Sequence, residues 1–213
     1  MEHFGRLQRI QKPQRGFTLL ETAAALMIFM VISGMTFMSV QPILRATRVD
    51  AAYDQVLMRL RQGRQAAVEE RRVYLATLLG NNQVVVQRLL GGNHGVVDGT
   101  GATTTVLPYD MQFLAAAGIP NTTLTSPDGF GVGGLAVQFD YGVDGGVTTQ
   151  IYFQPDGSAR DINMNLNNGV VYLARADDLY SSRAISLMGG SGRLRGWRLY
   201  KEDRTGLNRW VQQ

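Results

Sequence analysis

From Phe17 to Val40 the chain runs for 24 residues with a single charge, Glu21. A helix of that length reaches about 36 Å at about 1.5 Å per residue, enough for a hydrocarbon core of about 30 Å. Backbone amides inside a bilayer must bond within their own segment, so a helix is the structure expected of a single span. Gly34 lies within this run and Pro42 just beyond it. Pro42 lacks an N–H and disfavours helical geometry at the residue before it, so it either ends the helix or kinks it. The kink is the preferred reading, because apolar positions resume at Val49, Ala52, Tyr53, Val56, Leu57, Leu60, Ala67 and Val68. Those steps of three and four define one face of an amphipathic helix reaching about Arg72. Arg45, Arg48, Asp50, Asp54, Arg59, Arg61, Arg64 and Glu69 occupy its polar faces.

Beyond residue 72 the pattern shortens to β-type runs: Val73–Leu78, Val84–Leu89, Gly134–Tyr141, Val147–Gln154, Val170–Ala174, Ala184–Met188 and Leu194–Lys201. Turn residues separate them, among them Gly80-Asn81-Asn82, Pro155-Asp156-Gly157, Asn167-Asn168-Gly169 and Gly189-Gly190-Ser191-Gly192. Short connections between successive strands predict antiparallel meanders or hairpins. Residues 91–132 carry little signal beyond a short helix expected at Tyr109–Gly118. The predicted fold is α+β: one long N-terminal helix packed on an antiparallel sheet. Its parts are a transmembrane stretch at 17–41, an amphipathic stretch at 42–72 and a β-rich domain at 73–213.

Charge refines this picture at the N-terminus. Residues 1–16 carry Arg6, Arg9, Lys12 and Arg15 against Glu2, which is +3 of the chain's net +4. A basic cluster directly before a span stays cytoplasmic and sends the C-terminal domain across the membrane. The high pI is therefore a topology signal more than a nucleic-acid footprint. Glu21 is the anomaly, since a carboxylate inside an apolar helix costs about 2.5–3.5 kcal/mol on insertion scales. Either it snorkels to the interface or it meets a positive partner. The nearest candidate is a free amino terminus at Phe17 of a neighbouring subunit.

Arg15-Gly16-Phe17-Thr18-Leu19-Leu20-Glu21 resembles the signal of type IV pilins and type II secretion pseudopilins: a short basic leader, then Gly, Phe, an apolar run, and Glu at the fifth position. The resemblance implies cleavage after Gly16 by a prepilin peptidase, with residues 1–16 removed as a leader. It also implies N-methylation of Phe17 and use of Glu21 as the assembly carboxylate. Leu60–Val73 and Phe153-Gln154-Pro155-Asp156-Gly157, with an Arg183–Arg195 hairpin, are similar to the GspH/FimT group of minor pseudopilins. The alanine-arginine-serine motif usual in that group's helix is present only loosely.

Composition narrows the chemistry. Without a cysteine, thiol catalysis, zinc-thiolate binding and disulfides are excluded. With only His3 and His94, a histidine-rich metal site is not expected. Gly129–Gly134 lacks the Lys-Ser/Thr of a phosphate loop, and Asp177-Asp178 supplies too few oxygens for calcium. The reading is therefore of a non-enzyme with no cofactor. The C-terminal stretch 193–213 is net +4, with Arg193, Arg195, Arg198 and Lys201 interleaved with Trp197, Tyr200 and, further on, Trp210. Basic groups bind phosphates and exposed aromatics stack on bases, so this tail is a candidate DNA-binding site. The preferred alternative is a final strand with Trp197 and Leu199 facing the core and the arginines in solvent.

Two functions follow. The first is a minor pseudopilin of a type II secretion system, held in the bacterial inner membrane with a periplasmic domain. Its partners would be other pilins or pseudopilins, the prepilin peptidase and the inner-membrane assembly platform. The second is a FimT-like minor type IV pilin that binds DNA.

Overall fold

A computed structural model describes residues 18–92, 95–99, 101–108, 110–139 and 148–213, without the side chains of 39–43. It divides into two units, Met1–Leu44 and Arg45–Gln213.

The helix α1 spans Leu19–Glu70. Thr18 caps it, its Oγ1 accepting the Glu21 amide at 3.2 Å, and Glu21 lies in the first turn, where the helix dipole favours an acid. Gly34 and Pro42 both fall within the helix, which rules out the alternative of a helix ending at Pro42. At the C-terminus Arg71 adopts φ 52°, and the Arg72 amide reaches back to the Ala67 carbonyl at 3.2 Å. This is the left-handed closure usually given to glycine. The helix thus ends two residues before the expected Arg72.

Within Arg45–Gln213, Val49, Ala52, Tyr53, Val56, Leu57, Leu60 and Ala67 are buried, as the periodicity predicts. Val68 is not: it is 43% exposed. The inward row passes instead through Gly63, where an added Cβ would lie 2.9 Å from Val86. The missing side chain lets the helix approach the strands closely.

Twelve strands follow among the described residues: β1 Tyr74–Leu79, β2 Gln83–Leu90, β3 Val96–Val97, β4 Thr103–Val106, β5 Met111–Phe113, β6 Val137–Phe139, β7 Gln150–Phe153, β8 Ala159–Arg160, β9 Gly169–Arg175, β10 Asp178–Met188, β11 Arg193–Lys201 and β12 Asn208–Gln212. They form two antiparallel sheets rather than the single one expected. The first has the order β3-β2-β1-β7-β8 with β4 also on β2; the second has β12-β11-β10-β9-β5 with β6 also on β9. All seven expected strands are present. The short helix expected at Tyr109–Gly118 is replaced by β5, whose Met111 and Phe113 enter the core beside β9.

One core joins the amphipathic stretch of α1 to both sheets, through residues such as Leu60, Leu78, Ile151, Phe153, Leu173, Ile185 and Leu187. A second cluster lies on the opposite face of the second sheet: Ile119, Val170, Tyr172, Ala184, Leu199 and Trp210, with Phe130 and Trp197 packed against it. Strand β9 therefore feeds Val171 and Leu173 to one core and Val170 and Tyr172 to the other. Burial on both faces explains its uninterrupted apolar run. Ala115 and Ala116, from the end of the expected helix, and Ile119 and Phe130, from the stretch that sequence left unplaced, cover this second face.

Candidate functional site

The N-terminal signal begins outside the described residues: Gly16 and Phe17 both lie there, as does the whole of the expected leader. What is described is Thr18 and the helix behind it. Leu19–Met38 is long and apolar enough to cross a membrane, and Glu21 is its one ionisable residue. Twelve large apolar side chains along it stand exposed, from Leu19 at 87% to Met38 at 78%. Each is worth roughly 1.5–3 kcal/mol of burial, so this surface calls for lipid or apolar helices around it.

The four basic residues of the C-terminal candidate do not come together. Side chains alternate along a strand, and β11 carries Arg193, Arg195 and Lys201 on one face and Arg198 on the other. Leu194, on Arg198's face, belongs to the core against α1, whereas Trp197 and Leu199 belong to the second cluster. Arg195 is not in solvent, as either tail reading required. Its guanidinium meets the Asp128 carboxylate at 2.5 Å. The other Asp128 oxygen accepts the Ser186 hydroxyl at 2.5 Å, and Trp197 Nε1 donates to that same hydroxyl at 2.9 Å. Asp128 sits in a 3-10 turn at Pro127–Gly129 with φ 52°. This polar knot ties the covering segment to the sheet. Trp210 is buried and donates to the Pro120 carbonyl at 3.0 Å. Of the three interleaved aromatics, Tyr200 alone is exposed, and the Arg198 guanidinium lies 5.3 Å from its ring centre.

Two further contacts fix the amphipathic stretch of α1, and neither was evident from sequence. Arg183 on β10 is about 1% exposed yet carries a full charge; its Nη2 meets Asp50 Oδ1 at 2.7 Å, and its Nη1 donates to the carbonyls of Tyr180 and Ser182. Gly196 on β11 faces Tyr53, whose hydroxyl would lie 1.4 Å from an added Cβ. Burial first, then the Asp54 carboxylate, pushes the Tyr53 phenol above its usual value, so the group stays neutral. An arginine directly before an apolar run, as Arg183 stands before Ala184-Ile185 in mid-strand, is the only cue the sequence offered.

At the far end of the same helix, Arg64 donates through Nε to the Gly157 carbonyl and through Nη2 to the Ser191 carbonyl, both at 3.0 Å. It holds together two turns read from sequence. In the first, Pro155-Asp156-Gly157 closes by a Gly157-to-Gln154 bond at 2.9 Å with Gly157 at φ 82°. The second is Gly189–Gly192 between β10 and β11.

The family described as "Prokaryotic N-terminal methylation motif" matches residues 11–37. The match spans Lys12 and Arg15, the Gly-Phe step, Glu21 and most of the apolar helix. The chain thus carries the N-terminal signal of type IV pilin-like proteins, joined to an α+β domain. No curated protein matches the sequence. A solved structure, the minor pseudopilin EpsH from the Type 2 Secretion System of Vibrio cholerae, shares 9% identity over 78% of this chain and 97% of that chain, with a TM-score of 0.32.

Proposed function

We propose that the chain is a minor pseudopilin of a type II secretion system, a filament subunit rather than an enzyme. The observation that carries this reading is the methylation motif at 11–37 running directly into an exposed apolar helix with one carboxylate. In this account a prepilin peptidase removes residues 1–16 and methylates Phe17. The span holds the subunit in the inner membrane with residues 45–213 on the periplasmic side. Glu21 pairs with the freed amine of a neighbouring subunit, which offsets the cost of an isolated carboxylate in apolar surroundings. An assembly platform driven by a cytoplasmic ATPase then extracts the subunit, which itself supplies packing surfaces.

The test is Glu21→Ala in cells assembling the filament. The variant should stay in the membrane at normal levels but be poorly incorporated; normal incorporation would rule out the pairing mechanism. The DNA-binding pilin reading draws on Arg193, Arg195, Arg198 and Lys201. Their separation onto two faces, with Arg195 neutralised by Asp128, favours the pseudopilin reading. Salt-dependent binding of duplex DNA that is lost in the triple variant Arg193→Ala, Arg195→Ala, Arg198→Ala would reverse that preference.

A further inference from the structure

Strand β11 runs against the direction of α1. Arg64 on the helix donates to the Ser191 carbonyl just before the strand. Tyr53 faces Gly196, and Asp50 meets Arg183, the cross-strand neighbour of Arg198. Going back along the helix from Arg64 to Asp50 is therefore going forward along β11 from its start to Arg198. From Gly196 to Tyr200 the strand advances about 13 Å at about 3.3 Å per residue, and from Tyr53 back to Arg45 the helix covers about 12 Å at about 1.5 Å per residue. The end of β11 and the turn into β12 thus lie towards the end of this unit where Arg45 and Arg48 stand, both exposed.

That turn is held in shape. The Glu202 amide donates to the Leu207 carbonyl at 2.9 Å and the Gly206 amide to the Glu202 carbonyl at 2.8 Å, with Gly206 at φ 70°. The Glu202 carboxylate accepts the Thr205 hydroxyl at 2.6 Å and Arg209 at 3.4 Å, and Thr205 Oγ1 in turn accepts the Leu207 amide at 3.2 Å. Yet this ordered turn presents Leu207 at 68% exposure. Leu207 lies opposite Glu202, on the hairpin face that also carries the exposed Tyr200. Arg209 takes up the charge of Glu202. Lys201, Arg204, Arg45 and Arg48 are exposed, and among the described residues their side chains have neither a hydrogen bond nor an ion pair. Set against Asp203, these four give this end a net +3.

Six residues separate Arg45 from Met38, the last residue of the apolar segment long enough to span. At no more than about 3.6 Å per residue, Arg45 is within about 25 Å of that segment's end whatever path the chain takes. A leucine and a tyrosine among unpaired cations match the boundary of a bilayer. There apolar side chains enter the acyl edge, tyrosine sits at headgroup level and cations meet phosphates. We propose that in the membrane-held subunit the β11–β12 turn rests on the periplasmic leaflet, with Leu207 and Tyr200 at the headgroup boundary and Lys201, Arg204, Arg45 and Arg48 on the phosphates of anionic phospholipid. A surface met end-on is reached from both faces of the hairpin, so the division of the β11 cations between two faces does not oppose it. This rests on the filament reading above and adds to it a resting position of the domain before extraction.

The natural chain has no cysteine, so a single dye can be placed on it. Leu207→Cys, labelled with the polarity-sensitive dye nitrobenzoxadiazole, is reconstituted as the full-length chain into nanodiscs. The lipid is phosphatidylcholine alone or an equal mixture with phosphatidylglycerol. In the mixture the emission should shift to the blue and brighten; in phosphatidylcholine alone it should stay water-like. The same dye at Ser191→Cys, by the opposite end of β11, should stay water-like in both. Each lysine or arginine near an anionic surface favours the contact about fivefold, so Lys201→Ala with Arg204→Ala should lower the ratio of bound to free turns about twenty-five-fold. High salt should release the turn of the parent chain by screening. Water-like emission in the mixture, a shift untouched by the two alanines, or an equal shift at Ser191→Cys would overturn the contact. So would a shift that duplex DNA produces in phosphatidylcholine discs and phosphatidylglycerol does not. A chain that co-elutes with the discs but shows no shift removes this inference and leaves the filament reading intact. A chain that does not stay with the discs lacks the span, and removes both.

Discussion

Arg183 and Asp50 make the most exacting test of how the helix is held. The Arg183 side chain is 2% exposed and that of Asp50 is 44% exposed, with 2.7 Å between their charged atoms. Removing one partner of a fully buried pair costs about 3–5 kcal/mol, because a charge is left behind without compensation. Here water reaches the Asp50 side and two backbone carbonyls still hold Arg183. The expected cost of Asp50→Ala is therefore lower, about 1–2 kcal/mol. For a domain of this size that corresponds to a fall in Tm of about 3–6 °C. The double variant Asp50→Ala, Arg183→Met removes both charges and fills the space with an apolar chain, so it should recover most of the loss. Both tryptophans, Trp197 and Trp210, lie in the second sheet, so their fluorescence reports on this unit as the full-length protein is denatured in detergent micelles. An Asp50→Ala variant as stable as the parent, or a double variant less stable than Asp50→Ala alone, would refute the claim that this pair locks the helix to the sheet.

Other expectations follow from the same geometry. Arg71→Gly relieves a left-handed position and should stabilise the protein by about 0.5–1 kcal/mol in the same denaturation experiment. Gly196→Ala drives a methyl group into Tyr53 and should cost about 2–3 kcal/mol; adding Tyr53→Leu should return part of it, and a Gly196→Ala variant of parental stability would show that the close approach is not real. Gly16→Leu should leave an uncut precursor, seen on a gel as a band heavier by the leader.

Much of this architecture was legible in the order of residue types. The charge-poor run after Phe17, the three-and-four spacing from Val49 to Ala67 and the paired turn residues gave the helix, its buried face and seven strands. The rest depended on partners distant in sequence. Met111–Phe113 reads as helix or strand equally well until β9 is beside it. The edge strand Asn208–Gln212 is mostly polar, and only the register that sets Trp210 against Leu199 makes it a strand. A second sheet could not be inferred, because strand lengths say nothing about which edges join. The tail arginines shared a sequence but not a surface. Neutralisation of Arg195 comes from Asp128, 67 positions away. Glu21, by contrast, was conspicuous at once, since one acid among twenty-four residues needs no fold to stand out.

The account depends most directly on what becomes of the N-terminus. Intact-mass and N-terminal fragment spectrometry of the protein, purified from membranes of cells that contain a prepilin peptidase, should show a chain beginning at Phe17 with a methyl group on its amine. A chain that still begins at Met1 in those cells would contradict it.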